Sequence, residues 1–152
     1  MLDLQRIEIA AIAEALDDRS DHHSWWLDPE TGEVILWSDY EAEQGEEHPE
    51  LRDLRLIDPL SSREGYKEMQ EFVGRLTDPR ARTSLEQAIG GRGAFRRFKD
   101  TLLEFPELRE LWFRFHDVRL ERHAIHWLVA EGLVDEPEGE RALGDRPEPE
   151  LP

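Results

Sequence analysis

Two β-prone runs, Ser24–Leu27 and Val34–Trp37, flank Asp28-Pro29-Glu30-Thr31-Gly32, and this arrangement constrains the fold more than any other feature of the chain. Pro29 presets φ for a type I turn, and Gly32 can take the left-handed position that closes it with a bulge, so the segment predicts a β-hairpin. Neighbouring residues of a strand point to opposite faces, which separates Trp25 from Trp26. Either the sheet is covered on both sides or one tryptophan is exposed for binding, and covering is the commoner outcome for so large a side chain.

The remaining segments read mostly as helices. Leu4, Ile7, Ala11, Ile12, Ala15 and Leu16 recur at helical spacing behind Asp3, a suitable N-cap, which predicts a helix over 4–16. Residues 38–53 are acidic and read as a solvated loop, and Leu54–Ile57 as a short third strand. Ser61 and Glu64 fit a capping box ahead of a stripe of Tyr66, Met69, Phe72, Val73 and Leu76. Asp78 and Pro79 open a second helix that Gly90 closes. A short helix follows from about Ala94, and a long one runs from Pro106 to Glu131. An N-terminal helix, a small antiparallel sheet with a hairpin, then a C-terminal cluster of about four helices is an α+β order, because strands and helices are segregated. The expectation is a single domain over 1–134. From residue 135 onward the chain is rich in Pro, Glu and Asp, and reads as a disordered acidic tail over 135–152.

The formal net charge is −17, which argues against general affinity for nucleic acid or acidic membranes. The charge is uneven: residues 1–79 carry a net −14, residues 80–122 a net +3 and residues 123–152 a net −6. Two readings stay open, internal charge pairing or a basic face kept for a partner. The chain has no cysteine, which excludes disulfides and thiolate chemistry. No apolar run approaches the roughly 20 residues that cross a bilayer, and no basic, then apolar leader opens the chain. No membrane partner and a cytoplasmic location are expected.

Positive charge concentrates in Gly90-Gly91-Arg92-Gly93-Ala94-Phe95-Arg96-Arg97-Phe98-Lys99. Glycines at a helix start admit an anion close to unpaired N–H groups, and arginines add bidentate contacts. Gly91, Arg92, Gly93, Arg96, Arg97 and Lys99 are therefore candidate ligands for a phosphate-bearing group. The segment lacks the Gly-Lys-Ser/Thr ending of a phosphate loop, and no strand precedes it. The plainer alternative is a helix–helix linker whose phenylalanines enter the core and whose arginines pair with acids. On the last helix His116, Arg119 and His123 share a face, with Trp127 one turn on. With Trp112 they complete a candidate aromatic and cationic pocket, or they form the ordinary polar face of an amphipathic helix. His123 and His126 stand one turn apart and His22 adjoins His23, but an incomplete ligand set argues for no metal. No nucleophile, base or carboxylate pair stands out, so no catalytic residue and no cofactor is assigned.

Three motifs carry a family resemblance. They are Trp26-Leu27-Asp28-x-x-Thr31-Gly32-Glu33-Val34, the run Gly91-x-Gly93-Ala94-Phe95-Arg96-Arg97-Phe98-Lys99, and Trp112 followed by Arg119, Ala124 and Trp127-Leu128. Over residues 4–132 the chain resembles the bacterial uncharacterised protein family 0158. The resemblance implies a compact domain and no particular activity. The functional expectation is a small non-enzymatic binding or regulatory protein that takes a nucleotide or RNA phosphate at Gly91–Lys99. The alternatives are a protein-interaction module or homodimer built on the Trp-rich hairpin, and a phosphate-substrate hydrolase or transferase using His123.

Overall fold

The computed structural model describes residues 1–152, in two compact units. Unit 1 combines Met1–Leu60 with Arg119–Pro147, and unit 2 combines Ser61–Val118 with Glu148–Pro152. The expected single domain over 1–134 thus divides, and the division is not sequential. Unit 1 holds 24 acidic against 8 basic side chains and unit 2 holds 12 against 11, so nearly all the net charge belongs to unit 1.

In unit 1 a 3-10 turn at Leu4–Arg6, capped by the Asp3 carboxylate, precedes α1 (Ile9–Asp17). The expected helix over 4–16 is therefore broken at Ile7, whose backbone is extended. β1 (His23–Leu27) and β2 (Val34–Ser38) form the predicted hairpin, and β3 (Arg55–Ile57) pairs with β1 to give the antiparallel order β2-β1-β3. Gly32 sits at φ +81, and a Cβ there would stand 3.1 Å from Ile7. In the sheet Trp25 lies opposite Leu36 and Ile57, and its face joins the apolar core of α1. Trp26 lies on the other face and is buried, with its ring and that of Trp37 edge-on to His48. Neither Trp25 nor Trp26 is exposed, although Leu36 and Leu56 of the neighbouring strands are.

The segment expected to be an irregular loop contains α2 (Asp39–Glu43) and a 3-10 turn at Pro49–Arg52. A reciprocal capping box starts α2: Tyr40 N–H donates to Ser38 Oγ, and Ser38 N–H donates to the Glu41 carboxylate at 2.8 Å. A hydrogen bond from the Ser38 hydroxyl holds the Glu41 carboxyl below its ordinary range.

α3 (Ser62–Gly74), α4 (Pro79–Ala88), α5 (Ala94–Leu102) and the first part of α6 (Pro106–Ala130) make up most of unit 2. Ser61 caps α3 and Asp78 caps α4, as their sequence positions predict. The core is aromatic: Phe72, Phe98, Trp112 and Phe115 meet edge-on or tilted, with centroids 4.8 to 6.3 Å apart. The buried Glu68 carboxylate meets His116 Nδ1 at 2.9 Å, and that imidazole stacks on Trp112. His116, expected on a polar helix face, instead satisfies a carboxylate that burial would otherwise strand.

The later part of α6 belongs to unit 1, where Leu120, Ala124, Ile125 and Leu128 enter the core. The tail expected to be disordered over 135–152 contains α7 (Glu136–Gly144), capped by Asp135, with Ala142 and Leu143 packed on that core. Close helix packing explains it. A Cβ at Gly139 would stand 2.5 Å from Val129 Cγ2, so this glycine is a contact point rather than a flexible joint. Gly139→Val is expected to lower stability by about 1–3 kcal/mol through overpacking. A thermal melt compared with a Gly144→Val control, at a site with open space, checks it.

Asp18 joins α1 to β1. Its carboxylate accepts from His23 Nε2, from Trp25 Nε1 at 2.9 Å and from Ser20 N–H at 3.0 Å. These donors, His23 first, hold its pKa at about 2. A depressed carboxyl stabilises the fold above its unfolded value of about 3.9, and that contribution is lost as pH falls toward the folded value. Asp18→Asn should therefore melt below the parent at pH 7, with the gap closing between about pH 4 and pH 2. Paired melts across that range measure it.

Candidate functional site

The glycine–arginine segment builds the corner between α4 and α5. Gly91 and Gly93 take φ +76 and +74, a conformation that ordinary residues adopt only with strain. Gly93 is the N-cap of α5 and supplies no side-chain cap. One turn into α5, Arg97 folds back. Its Nε donates to the Ala88 carbonyl at 2.9 Å, and its two terminal nitrogens donate to the carbonyls of Gly90 and Arg92. Tyr66 Oη donates to the Ile89 carbonyl at 2.8 Å. Carbonyls at and just beyond the C-terminus of α4, which the helix cannot satisfy, are thus met by side chains from α5 and α3.

This geometry corrects part of the sequence reading. Arg97 is a clamp on backbone carbonyls, not an open anion ligand, and not an ion-pair partner of the acidic segments. Gly93 is needed beside it, since a Cβ there would meet Arg97 Nη1 at 3.1 Å. Phe98 is buried in the core of unit 2, as a linker would require. Arg92 is exposed, and Arg96 is 91% exposed with Asp100 4.0 Å away. Trp112 is only 6% exposed and wedged among Phe72, Phe98 and Phe115, so its ring faces belong to the core. Arg119, His123 and Trp127 lie in unit 1, where Trp127 packs against the apolar core. The ten candidate residues are therefore divided between the units.

Unit 2 also holds a groove of about 210 Å³ where α5 ends and α6 begins. Lys99 and Asp100 line one side, Arg109 and Phe113 the other, and Leu102, Leu103 and the edge of Trp112 complete it. Leu103 is 62% exposed and Phe113 is 44% exposed, unusual for side chains of their size. The Arg109 guanidinium sits over the Phe113 ring at 4.9 Å, which fixes both. Leu103, Arg109 and Phe113 were not singled out in the sequence. The available signal was phase: Phe113 follows Trp112 directly and so falls off the stripe of Leu108, Trp112 and Phe115. Nowhere do three or more His, Asp or Glu side chains converge to hold a metal ion, and no helix is long and apolar enough to cross a membrane.

These features define an acidic α+β protein with an apolar groove on its helical unit, rimmed by Lys99, Arg109 and Asp100. The chain belongs to the Uncharacterised protein family UPF0158, whose sequence profile matches residues 1–138. The UPF0158 protein PA5073 of Pseudomonas aeruginosa is 37% identical over 126 residues, which cover 80% of each chain. No solved structure matches the chain significantly.

The Arg97 clamp makes a stability prediction. Arg97→Ala leaves the partly buried Ala88 carbonyl without its donor and hands the exposed carbonyls of Gly90 and Arg92 to water, and should cost about 0.5–1.5 kcal/mol. Arg97→Lys should recover little of it, because an ammonium cannot reproduce the planar fork. Denaturant titration of the three proteins reads the difference.

Proposed function

We propose that this is a non-enzymatic binding protein of the cytoplasm whose α5–α6 groove takes an acidic segment with an apolar anchor from a partner protein. The observation that carries the reading is the exposure of Leu103 and Phe113 between Lys99 and Arg109. An apolar centre with a charged rim is the ordinary anatomy of a protein interface. Size favours a side chain over a nucleotide: about 210 Å³ falls below the roughly 300–1,000 Å³ of small-molecule pockets. Lys99 and Arg109 select carboxylates, and Leu103 and Phe113 supply the apolar contact.

A second reading keeps a phosphate-bearing ligand, nucleotide or RNA end, at the start of α5. It is favoured by the lack of a side-chain cap there and by the exposure of Arg96. The N–H groups of a helix start and an exposed guanidinium suit a phosphate.

A peptide array that varies acidic and apolar positions separates the two. Under the first reading, peptides that place Leu or Phe beside Asp or Glu bind. Lys99→Glu with Arg109→Glu abolishes binding, Leu103→Ala with Phe113→Ala weakens it, and Arg96→Ala leaves it unchanged. Under the second, phosphate, nucleotides or short RNAs raise the melting temperature, and Arg96→Ala removes that shift. A ligand at 100 times its dissociation constant stabilises by about 2.7 kcal/mol, which a thermal melt resolves.

A further inference from the structure

The segment Glu148–Pro152 packs as part of unit 2. Its contacts include an ion pair, a backbone hydrogen bond and an apolar anchor. Glu148 Oε2 meets Arg75 Nη1 at 2.6 Å, the Pro152 carbonyl accepts from Thr77 N–H at 3.0 Å, and Leu151 packs against the apolar core of the unit. The receiving surface is preset. Arg75 ends α3 with its guanidinium 5.4 Å from the centre of the Phe115 ring and 3.7 Å from Glu71, so the charge is oriented by groups other than the strap. Thr77 lies in the α3–α4 connection, where its N–H donates to the Pro152 carbonyl.

The strap itself is built to dock rather than to fold. Pro149 and Pro152, with Pro147 just before the strap, deny it helix and ladder hydrogen bonds and restrict its backbone before it binds, which lowers the ordering cost. Arg75 and Thr77 fall within the residues matched by the family, 1–138, and the strap falls outside them.

We infer that the Arg75–Thr77 surface is a peptide-docking site, that Glu148–Pro152 occupies it in cis as an exchangeable ligand, and that a partner segment of the same chemistry displaces it. That chemistry is a glutamate three residues before a leucine–proline pair, in an extended, proline-restricted backbone. The carboxylate meets Arg75, the leucine meets the core, and the final carbonyl meets the Thr77 N–H. The inference does not rest on the α5–α6 groove. A tethered strap acts at a high effective concentration, so a free peptide competes poorly until the strap is weakened.

The test uses the full chain and a fluorescent peptide, Pro-Glu-Pro-Glu-Leu-Pro, followed by anisotropy. Glu148→Lys with Leu151→Asp should free the surface and bind the peptide at least about tenfold more tightly than the parent. Adding Arg75→Glu should abolish that gain, and a peptide with lysine in place of the first glutamate should restore it. Because the Glu-Leu pair of this peptide also suits the α5–α6 groove, every protein compared carries Lys99→Glu with Arg109→Glu, and the tenfold gain should persist in that background. In that background, equal binding by parent and strap variant, or binding by neither, would overturn the inference. Amide exchange at Thr77 supplies a second readout. Protection in the parent that is lost only near Thr77 in the strap variant supports an exchangeable ligand. Loss that spreads along α3 and α4 would make the strap a fixed part of the core and defeat the idea.

Discussion

The guanidinium of Arg97 is the interaction around which the helical unit's corner is organised. A helix ends with carbonyls that nothing in the helix can satisfy. At the end of α4 these groups face a turn containing two left-handed glycines, where the backbone has no regular partner. Arg97 reaches back one turn and accepts that duty, while Tyr66 does the same for Ile89. With the corner fixed, α5 sets out in one direction, Phe98 enters the aromatic cluster, and Lys99 arrives at the groove. The groove's geometry is thus inherited from an interaction that no ligand touches.

Local chemistry was legible in the sequence wherever a few neighbouring residues decide the outcome. Asp28–Gly32 gives a hairpin because proline and glycine restrict the same turn, and Asp78–Pro79 starts a helix because cap and first position are adjacent. Trp25 and Trp26 had to part company by the pleat alone. Arg97 was misjudged because its acceptors are backbone carbonyls, which every residue carries and which leave no mark in a sequence. The groove escaped notice because Leu103 and Phe113 become a pair only once α5 and α6 meet. The tail was misread because its Pro, Glu and Asp content outweighed Ala142 and Leu143, whose packing on the core leaves no local pattern. The two units were invisible because unit 1 is assembled from segments on either side of unit 2.

Aromatic rings recur as supports for charge rather than as free surfaces. Phe115 steadies Arg75, Phe113 steadies Arg109, and Trp112 carries the imidazole that answers Glu68. A cation held against a ring keeps its charge in water while losing much of its rotational freedom. Such groups meet a carboxylate with less ordering still to be done, which is what a recognition surface needs.

The uneven charge of the two units has a consequence for the solution around them. An excess of sixteen carboxylates gathers a diffuse atmosphere of small cations about unit 1, some 8–10 Å deep at physiological ionic strength. Unit 2, almost neutral, gathers no comparable atmosphere. The two units thus differ in how much of the surrounding salt they hold, and raising the ionic strength acts first on the repulsion within unit 1.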